Sequence, residues 1–210
     1  MGVLALQGDF ADHEAALRAL GLRTRQVRTA AQLAGLEGLV LPGGESTTML
    51  KLLTVEGLWQ PLLDTLQSGL PVLATCAGMI LLAEQVENPP QRSYGLLPIT
   101  VVRNGYGRQV HSGTFALQSD VLPAGTTGTF IRAPRITAVG ADCEVLARRG
   151  DDAVLVQKGS ILAACFHPEL QVDHPVGELF AAAVRLCASE RVPNGHRRAE
   201  PEAFQQEAAS

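Results

Sequence analysis

Short apolar runs and amphipathic stretches alternate through the first half of the chain. The runs at 3–7, 22–27, 37–41 and 71–75 are too short for helices and rich in Val and Leu, and predict buried strands. Between and after them the spacing predicts helices near 11–20, 46–54, 58–68 and 77–85, the first with Ala15, Leu17, Ala19 and Leu20 fitting only loosely to one face. Thr29-Ala30-Ala31-Gln32 is a capping-box pattern that opens a short helix. Strands alternating with helices predict an α/β fold: a mixed, largely parallel sheet with helices on both faces. The second half is richer in short strands, expected at about 95–103, 113–117, 128–132, 144–148, 153–157 and 160–165. A last helix is expected at 176–189, with Pro175 suited to its first turn and Phe180, Val184 and Cys187 on one face. This organisation predicts one domain over 1–190. The polar stretch 191–210 is expected to be a disordered tail, with a frayed helix at 202–208.

Candidate chemistry sits where predicted strands end. In Leu73-Ala74-Thr75-Cys76-Ala77-Gly78, a strand runs into a small-residue turn and then a helix, the layout of a nucleophile elbow. A helix start lowers the cost of the thiolate, the nucleophilic form of cysteine. The plain alternative is a buried structural cysteine. His167 ends the apolar stretch Ile161-Leu162-Ala163-Ala164-Cys165-Phe166, Pro168 stops the pairing, and Glu169 is placed to accept an imidazole N–H. The plain reading of His167 is a hydrogen-bonded histidine at a strand end; His13, His111, His174 and His196 read as surface residues. The third segment, Leu41-Pro42-Gly43-Gly44-Glu45-Ser46, is a strand ending in a glycine turn before a helix. Its Gly44 N–H, with that of Ala77, is a candidate oxyanion hole. Ser46 or Thr47 capping the helix is the bland alternative, and a phosphate loop is disfavoured because no Gly-Lys-Ser/Thr follows.

Pro-Gly-Gly-Glu-Ser-Thr at 42–47, Thr-Cys-Ala-Gly at 75–78 and Phe-His-Pro-Glu-Leu at 166–170, in this order, resemble a class I glutamine amidotransferase domain, a flavodoxin-like fold. More narrowly, the chain resembles the glutaminase subunits of pyridoxal 5′-phosphate synthases through Gln7-Gly8-Asp9-Phe10, the Arg103–Gln109 loop and Phe130-Ile131-Arg132-Ala133-Pro134. The resemblance runs from Val3 to about Cys187. It departs at Ala74, where glycine is usual, and at 111–115, where Ser-Phe-Glu is more usual. It implies a Cys76–His167–Glu169 triad hydrolysing L-glutamine, with Gly44, Glu45, Ser46, Arg103, Ile131 and Arg132 around the substrate. It also implies ammonia delivery to a synthase subunit that makes pyridoxal 5′-phosphate, so the cofactor is a product and no cofactor is bound here. Another amidotransferase's glutaminase, a cysteine peptidase of related fold and a non-enzymatic regulatory subunit are the competing readings.

Composition changes this picture little. The 210 residues are 46% hydrophobic with net charge −4, which supports a packed core and disfavours a nucleic-acid surface. Lys51 and Lys158 are the only lysines, leaving little room for Schiff-base chemistry in this chain. Four cysteines without short paired spacing point to reduced thiols and a cytoplasmic protein. A zinc site using Cys165 and His167 lacks a second ligand pair, so no metal is expected. No targeting or membrane-spanning segment is predicted.

Overall fold

A computed structural model describes residues 1–106 and 112–190. The elements are β1 (Gly2–Leu4), α1 (Phe10–Ala19), β2 (Arg25–Val27), a 3₁₀ turn (Ala30–Leu33), β3 (Leu39–Leu41), α2 (Ser46–Val55), α3 (Trp59–Gln67), β4 (Val72–Thr75), α4 (Ala77–Leu82) and β5 (Ala83–Glu87). They continue with β6 (Leu97–Val102), β7 (Gly113–Ala116), β8 (Thr127–Phe130), β9 (Arg135–Val139), β10 (Glu144–Arg149), β11 (Asp152–Lys158), β12 (Ile161–Ala164), a second 3₁₀ turn (Pro168–Leu170) and α5 (Pro175–Glu190).

Seven strands form the main sheet in the order β10-β11-β12-β4-β3-β1-β2. The five from β12 to β2 are parallel, and β11 and β10 continue antiparallel. Every residue of β1, β3, β4 and β12 is buried, as strands covered on both faces require. The connection from β1 to β2 moves one way across the sheet, and those from β2 to β3 and β3 to β4 move the other. Right-handed crossovers in opposite directions put their helices on opposite faces. Accordingly α1 packs with α5, while α3 packs with the first 3₁₀ turn and α2 with α4. A three-stranded sheet (β5-β6-β9) and a β7–β8 hairpin sit beside the main sheet.

The expected α/β class and sheet hold, with local differences. Helix 77–85 ends at Leu82, and the chain turns extended at Ala83. β5 then pairs parallel with β6 and buries Ala83 and Val86, so sheet pairing overrides the helix propensity of Ala-Glu-Gln. β9, which alternates buried and exposed residues only briefly, was not expected. The Thr29 capping box forms, with Gln32 Oε1 accepting from the Thr29 N–H at 3.0 Å. Two histidines read as surface residues are buried instead. His174 Nε2 lies 2.8 Å from the Thr127 carbonyl and its Nδ1 accepts from the Val176 N–H, so this ring joins the start of α5 to β8. His13 lies on the inner face of α1, whose buried residues are His13, Glu14 and Leu17. Two of the three are polar, which is why no apolar face stood out there. Residues 107–111, including Arg108 and His111, and the expected tail 191–210 with His196 lie outside the described residues.

Phe180 on α5 is one of the largest fully buried side chains. Phe180→Ala is expected to cost about 3–5 kcal/mol, read as a lowered unfolding free energy in urea. A loss under about 1 kcal/mol would mean that α5 does not anchor the sheet face.

Candidate active site

Four parallel neighbours in the sheet deliver the polar groups at their carboxyl ends. Asp9 follows β1, Gly43 to Ser46 follow β3, Cys76 follows β4, and His167 follows β12. Strand order reverses between β1 and β3, and the crevice at such a switch point is where open α/β sheets bind ligands. A cavity of about 320 Å³ opens there, the lower end for small-molecule sites. Asp9, Gly44, Glu45, Ser46, Cys76, Ile80, Arg103, Asn104, Ile131, Arg132 and His167 line it. Nearly all the expected site residues thus meet in one cavity. Ala77 and Glu169 stand behind its wall, the first as the opening residue of α4 and the second bonded to His167.

Cys76 is the turning point. Its φ is 45°, a left-handed conformation that L residues avoid, and its ψ is −101°. The Cys76 N–H donates to the Ala164 carbonyl at 2.8 Å, and the Cys76 carbonyl accepts from the Ile80 N–H. Strand and helix are thus fixed on either side of the strained residue. Ala74, in the position where glycine is usual, is fully buried and pairs with Ala163 and Leu41, so the ladder accepts its methyl group.

His167 is 4% exposed, and its Nδ1 lies 2.7 Å from Glu169 Oε1. Asp9 Oδ2 is 3.4 Å from the same nitrogen. Burial alone pulls the ring's pKa down, but hydrogen bonding by Asp9, Cys76 and Glu169 overrides it and pushes it up to about 12. Nδ1 is committed to carboxylates, which leaves Nε2 for Cys76. The Asp9 carboxyl is in turn held below its usual range, chiefly by its hydrogen bond to His167. A Cβ on Gly43 would run into the His167 ring, so only glycine lets the β3 turn pass this close. Gly44 has φ +135°, where side chains are strained.

The helix cap on α2 comes from Glu45, not Ser46 or Thr47. Its carboxylate accepts from the Thr47 and Thr48 N–H groups at 3.1 and 2.6 Å and from the Thr48 hydroxyl at 2.8 Å. Burial would raise the Glu45 pKa, but these bonds bring it down to about 2. The same carboxylate takes Arg103 Nη2 at 3.0 Å. Ser46 donates its hydroxyl to Gln91 Oε1 at 2.9 Å. Arg132, at φ 42°, donates its N–H to Ser112 Oγ at 3.1 Å. Behind the two arginine-bearing loops, the Arg149 guanidinium lies 3.5 Å from the Phe115 ring centre and under 5 Å from those of Tyr106 and Phe130. This cation–π cluster ties the loop after β6 to the end of β8.

Sequence reasoning placed none of Asp9, Asn104 and Ile80 in the cavity, nor Gln7 beside it, whose Oε1 accepts from the Glu45 N–H at 3.1 Å. Gln7 and Asp9 sat in a motif read as part of the resemblance and as the side on which a synthase would dock; nothing in their spacing placed them beside His167. Asp9, His167 and Glu169 bring ligand-type atoms within 4.8 Å of one another. Those atoms are already paired, with the His167–Glu169 bond at 2.7 Å, so an ion there would displace the bond that orients the ring. Cys165 is no companion ligand. It is fully buried against Met79 and the Ala153 carbonyl, and burial pushes its thiol pKa well up.

The strained cysteine, the paired histidine and the glycine turn on this sheet are the arrangement that a glutamine amidotransferase would need. The SNO glutamine amidotransferase family matches residues 3–186, and the chain belongs to it. Among relatives, the pyridoxal 5′-phosphate synthase subunit PdxT of Deinococcus radiodurans is 51% identical over 185 residues, covering 86% of this chain and 94% of the relative. The PdxT of Thermotoga maritima is 46% identical over 186 residues, covering 88% and 99%. A glutamine amidotransferase crystal structure superposes with a TM-score of 0.82 at 42% identity, covering 88% of this chain and 98% of that one. Another glutamine amidotransferase structure, from Thermotoga maritima, shares the fold at a TM-score of 0.59 and 15% identity, covering 92% and 86%.

The raised pKa predicts that the His167 ring stays protonated from about pH 5 to pH 9 in the resting protein. Asp9→Asn removes one of the bonds that raise it, so the ring should titrate at lower pH than in wild type. Nitrogen NMR of the imidazole reads both. A wild-type ring that loses its proton near the ordinary histidine pKa would contradict the ion-paired arrangement.

Proposed function

We infer that the chain hydrolyses L-glutamine to L-glutamate and ammonia, and that the ammonia passes to a synthase subunit that builds pyridoxal 5′-phosphate. The observation that carries the chemistry is Cys76 in its strained turn, sharing a cavity with a His167 ring bonded to Glu169. What favours this synthase over others is the PdxT identity across nearly the whole of the relatives' length.

In this reading the Cys76 thiolate attacks the side-chain amide carbon of glutamine. The oxygen takes up negative charge and is met by the Gly44 and Ala77 N–H groups; Ala77 opens α4, where backbone N–H groups have no partner within the helix. The imidazolium of His167 gives its proton to the departing nitrogen, which leaves as ammonia, and a glutamyl thioester remains. The now neutral imidazole takes a proton from water, the hydroxide attacks the thioester carbon, and glutamate leaves as the thiolate re-forms. Glu169 keeps Nδ1 engaged so that Nε2 faces the sulfur through both halves. Arg103 and Arg132 supply paired donors for the substrate α-carboxylate, Arg103 being held in place by Glu45. Ile131, 45% exposed at the rim, covers the substrate's methylenes, and Ser46 completes the polar wall.

Glutamate release in the presence of the synthase subunit tests the assignment. Cys76→Ala should abolish release without changing thermal unfolding by much, since alanine fits the turn. His167→Asn should block turnover, and Glu169→Gln should be milder because it orients rather than transfers protons. Residual turnover by Cys76→Ala above about a tenth of wild type would falsify Cys76 as nucleophile.

Coupling to the synthase is a second expected outcome. Free ammonia is lost by diffusion, so turnover should rise on docking, as the glycine turn at 43–44 is fixed from the Gln7–Asp9 side. A rise in kcat of about tenfold on adding the synthase corresponds to about 1.4 kcal/mol of transition-state stabilisation. Equal kcat with and without it would sink the coupling but not the hydrolysis.

A further inference from the structure

Glu169 is fully buried, yet only one of its oxygens has a hydrogen-bond partner among the described residues. Oε1 is taken by His167, and Oε2 is left without one. A carboxylate oxygen buried without a donor is costly, because it has lost water and gained nothing in its place. The group nearest to answering it is His13. Its Nε2 lies 3.4 Å from Glu169 Oε2 and 3.1 Å from Thr75 Oγ1. His13 is 2% exposed, and Thr75 not at all. The mechanism above uses neither.

Burial lowers the His13 pKa, opposed chiefly by the Glu169 charge. A neutral ring carries one N–H, and its position matters. With a lone pair on Nε2 facing the carboxylate, two acceptors would oppose each other across 3.4 Å. With the hydrogen on Nε2, the N–H bonds to the Thr75 hydroxyl oxygen at 3.1 Å and leaves its positive end beside Glu169 Oε2, 3.4 Å from the nitrogen. The contacts then close a ring: Cys76 to His167, His167 to Glu169, Glu169 to His13, His13 to Thr75, and Thr75 back to Cys76 along the chain. Asp9 and His13 stand one helical turn apart, with the His13 N–H donating to the Asp9 carbonyl at 3.2 Å. The start of α1 therefore touches both the base and its orienting carboxylate.

We propose that His13 is a positioning residue for the hydrolysis, its Nε2–H holding the second oxygen of Glu169 so that the first stays in line with His167. This rests on the glutaminase reading above. A free Oε2 would let the carboxylate turn about its last side-chain bond, loosening the His167 ring at the moment it changes partners between sulfur, ammonia and water. Glutamine binding, which uses the other wall of the cavity, would be unaffected.

The test uses the full chain with saturating synthase subunit and follows glutamate release. His13→Leu and His13→Asn, neither of which puts an N–H at the Nε2 position, should lower kcat about tenfold with KM for glutamine changed less than about twofold. His13→Gln, long enough to carry an amide N–H there, should recover most of the loss. In a Glu169→Gln background, His13→Leu should cost less than about twofold more, because the oxygen it serves is gone. Losses that multiply in the double variant would overturn the proposal, as would equal activities of His13→Gln and His13→Asn. Should His13→Leu fail to fold, the Gln and Asn pair decides alone. A wild-type chain that released no glutamate would remove the glutaminase reading and this proposal together; an active wild type with multiplying losses removes only this one.

Discussion

The left-handed backbone at Cys76 is the constraint around which the rest is arranged. A non-glycine residue at φ 45° costs about 1–3 kcal/mol and survives only where its flanks are fixed. Both flanks are fixed by the centre of the sheet: β4 lies between β3 and β12, and the Cys76 N–H is held by the carbonyl that ends β12. The strain turns the sulfur outward at the carboxyl edge, where the turn after β3 and the end of β12 already converge. Asn104 and Arg132, two further left-handed residues of the described chain, line the same cavity. Three of the four left-handed non-glycine residues of the described chain thus line this one cavity, Asn88 being the exception.

Charge in the cavity is balanced in two separate tiers. In the lower one, Asp9 and Glu169 face a single imidazolium. In the upper one, Glu45 holds Arg103 while serving as the cap of α2. Arg132 adds a further cation at the rim. In the proposed hydrolysis, the upper tier is the one that would meet the α-carboxylate, and the lower one the reacting amide. Because Glu45 serves both α2 and Arg103, the same carboxylate links helix order to the placing of a guanidinium that lines the cavity.

Much of this was legible in the sequence because the decisive residues sit at strand ends. The apolar runs before Pro42, Cys76 and His167 are β3, β4 and β12, and the small residues after them are the turns. Strong periodicity also placed α2, α3 and α5 to within a residue or two. The misses have physical causes. β5 carries Ala-Glu-Gln, which favour a helix in isolation, and only pairing with β6 makes them a strand. His13 and His174 looked exposed because nothing local says that a polar side chain will find a buried partner. Their partners, Thr75, Glu169 and Thr127, are far away in sequence. Asp9 and Gln7 were visible as part of a motif, but their contacts with His167 and Glu45 exist only once the strands are side by side.

The position of β12 in the sheet sets an order in time. It is the last strand of the described residues to leave the ribosome, yet it lies in the interior of the sheet, between β4 and β11, and carries His167 at its end. Until residues 161–169 are available, β4 has an open edge, the Cys76 N–H lacks its carbonyl partner, and the paired His167 and Glu169 are missing from beside the thiol. Contacts this distant in sequence form late, after loop closure has been overcome. Before β12 pairs, the Cys76 turn therefore lacks both the carbonyl that fixes its N–H and the imidazole that shares its cavity, and the order of strand pairing is also the order in which the site is assembled.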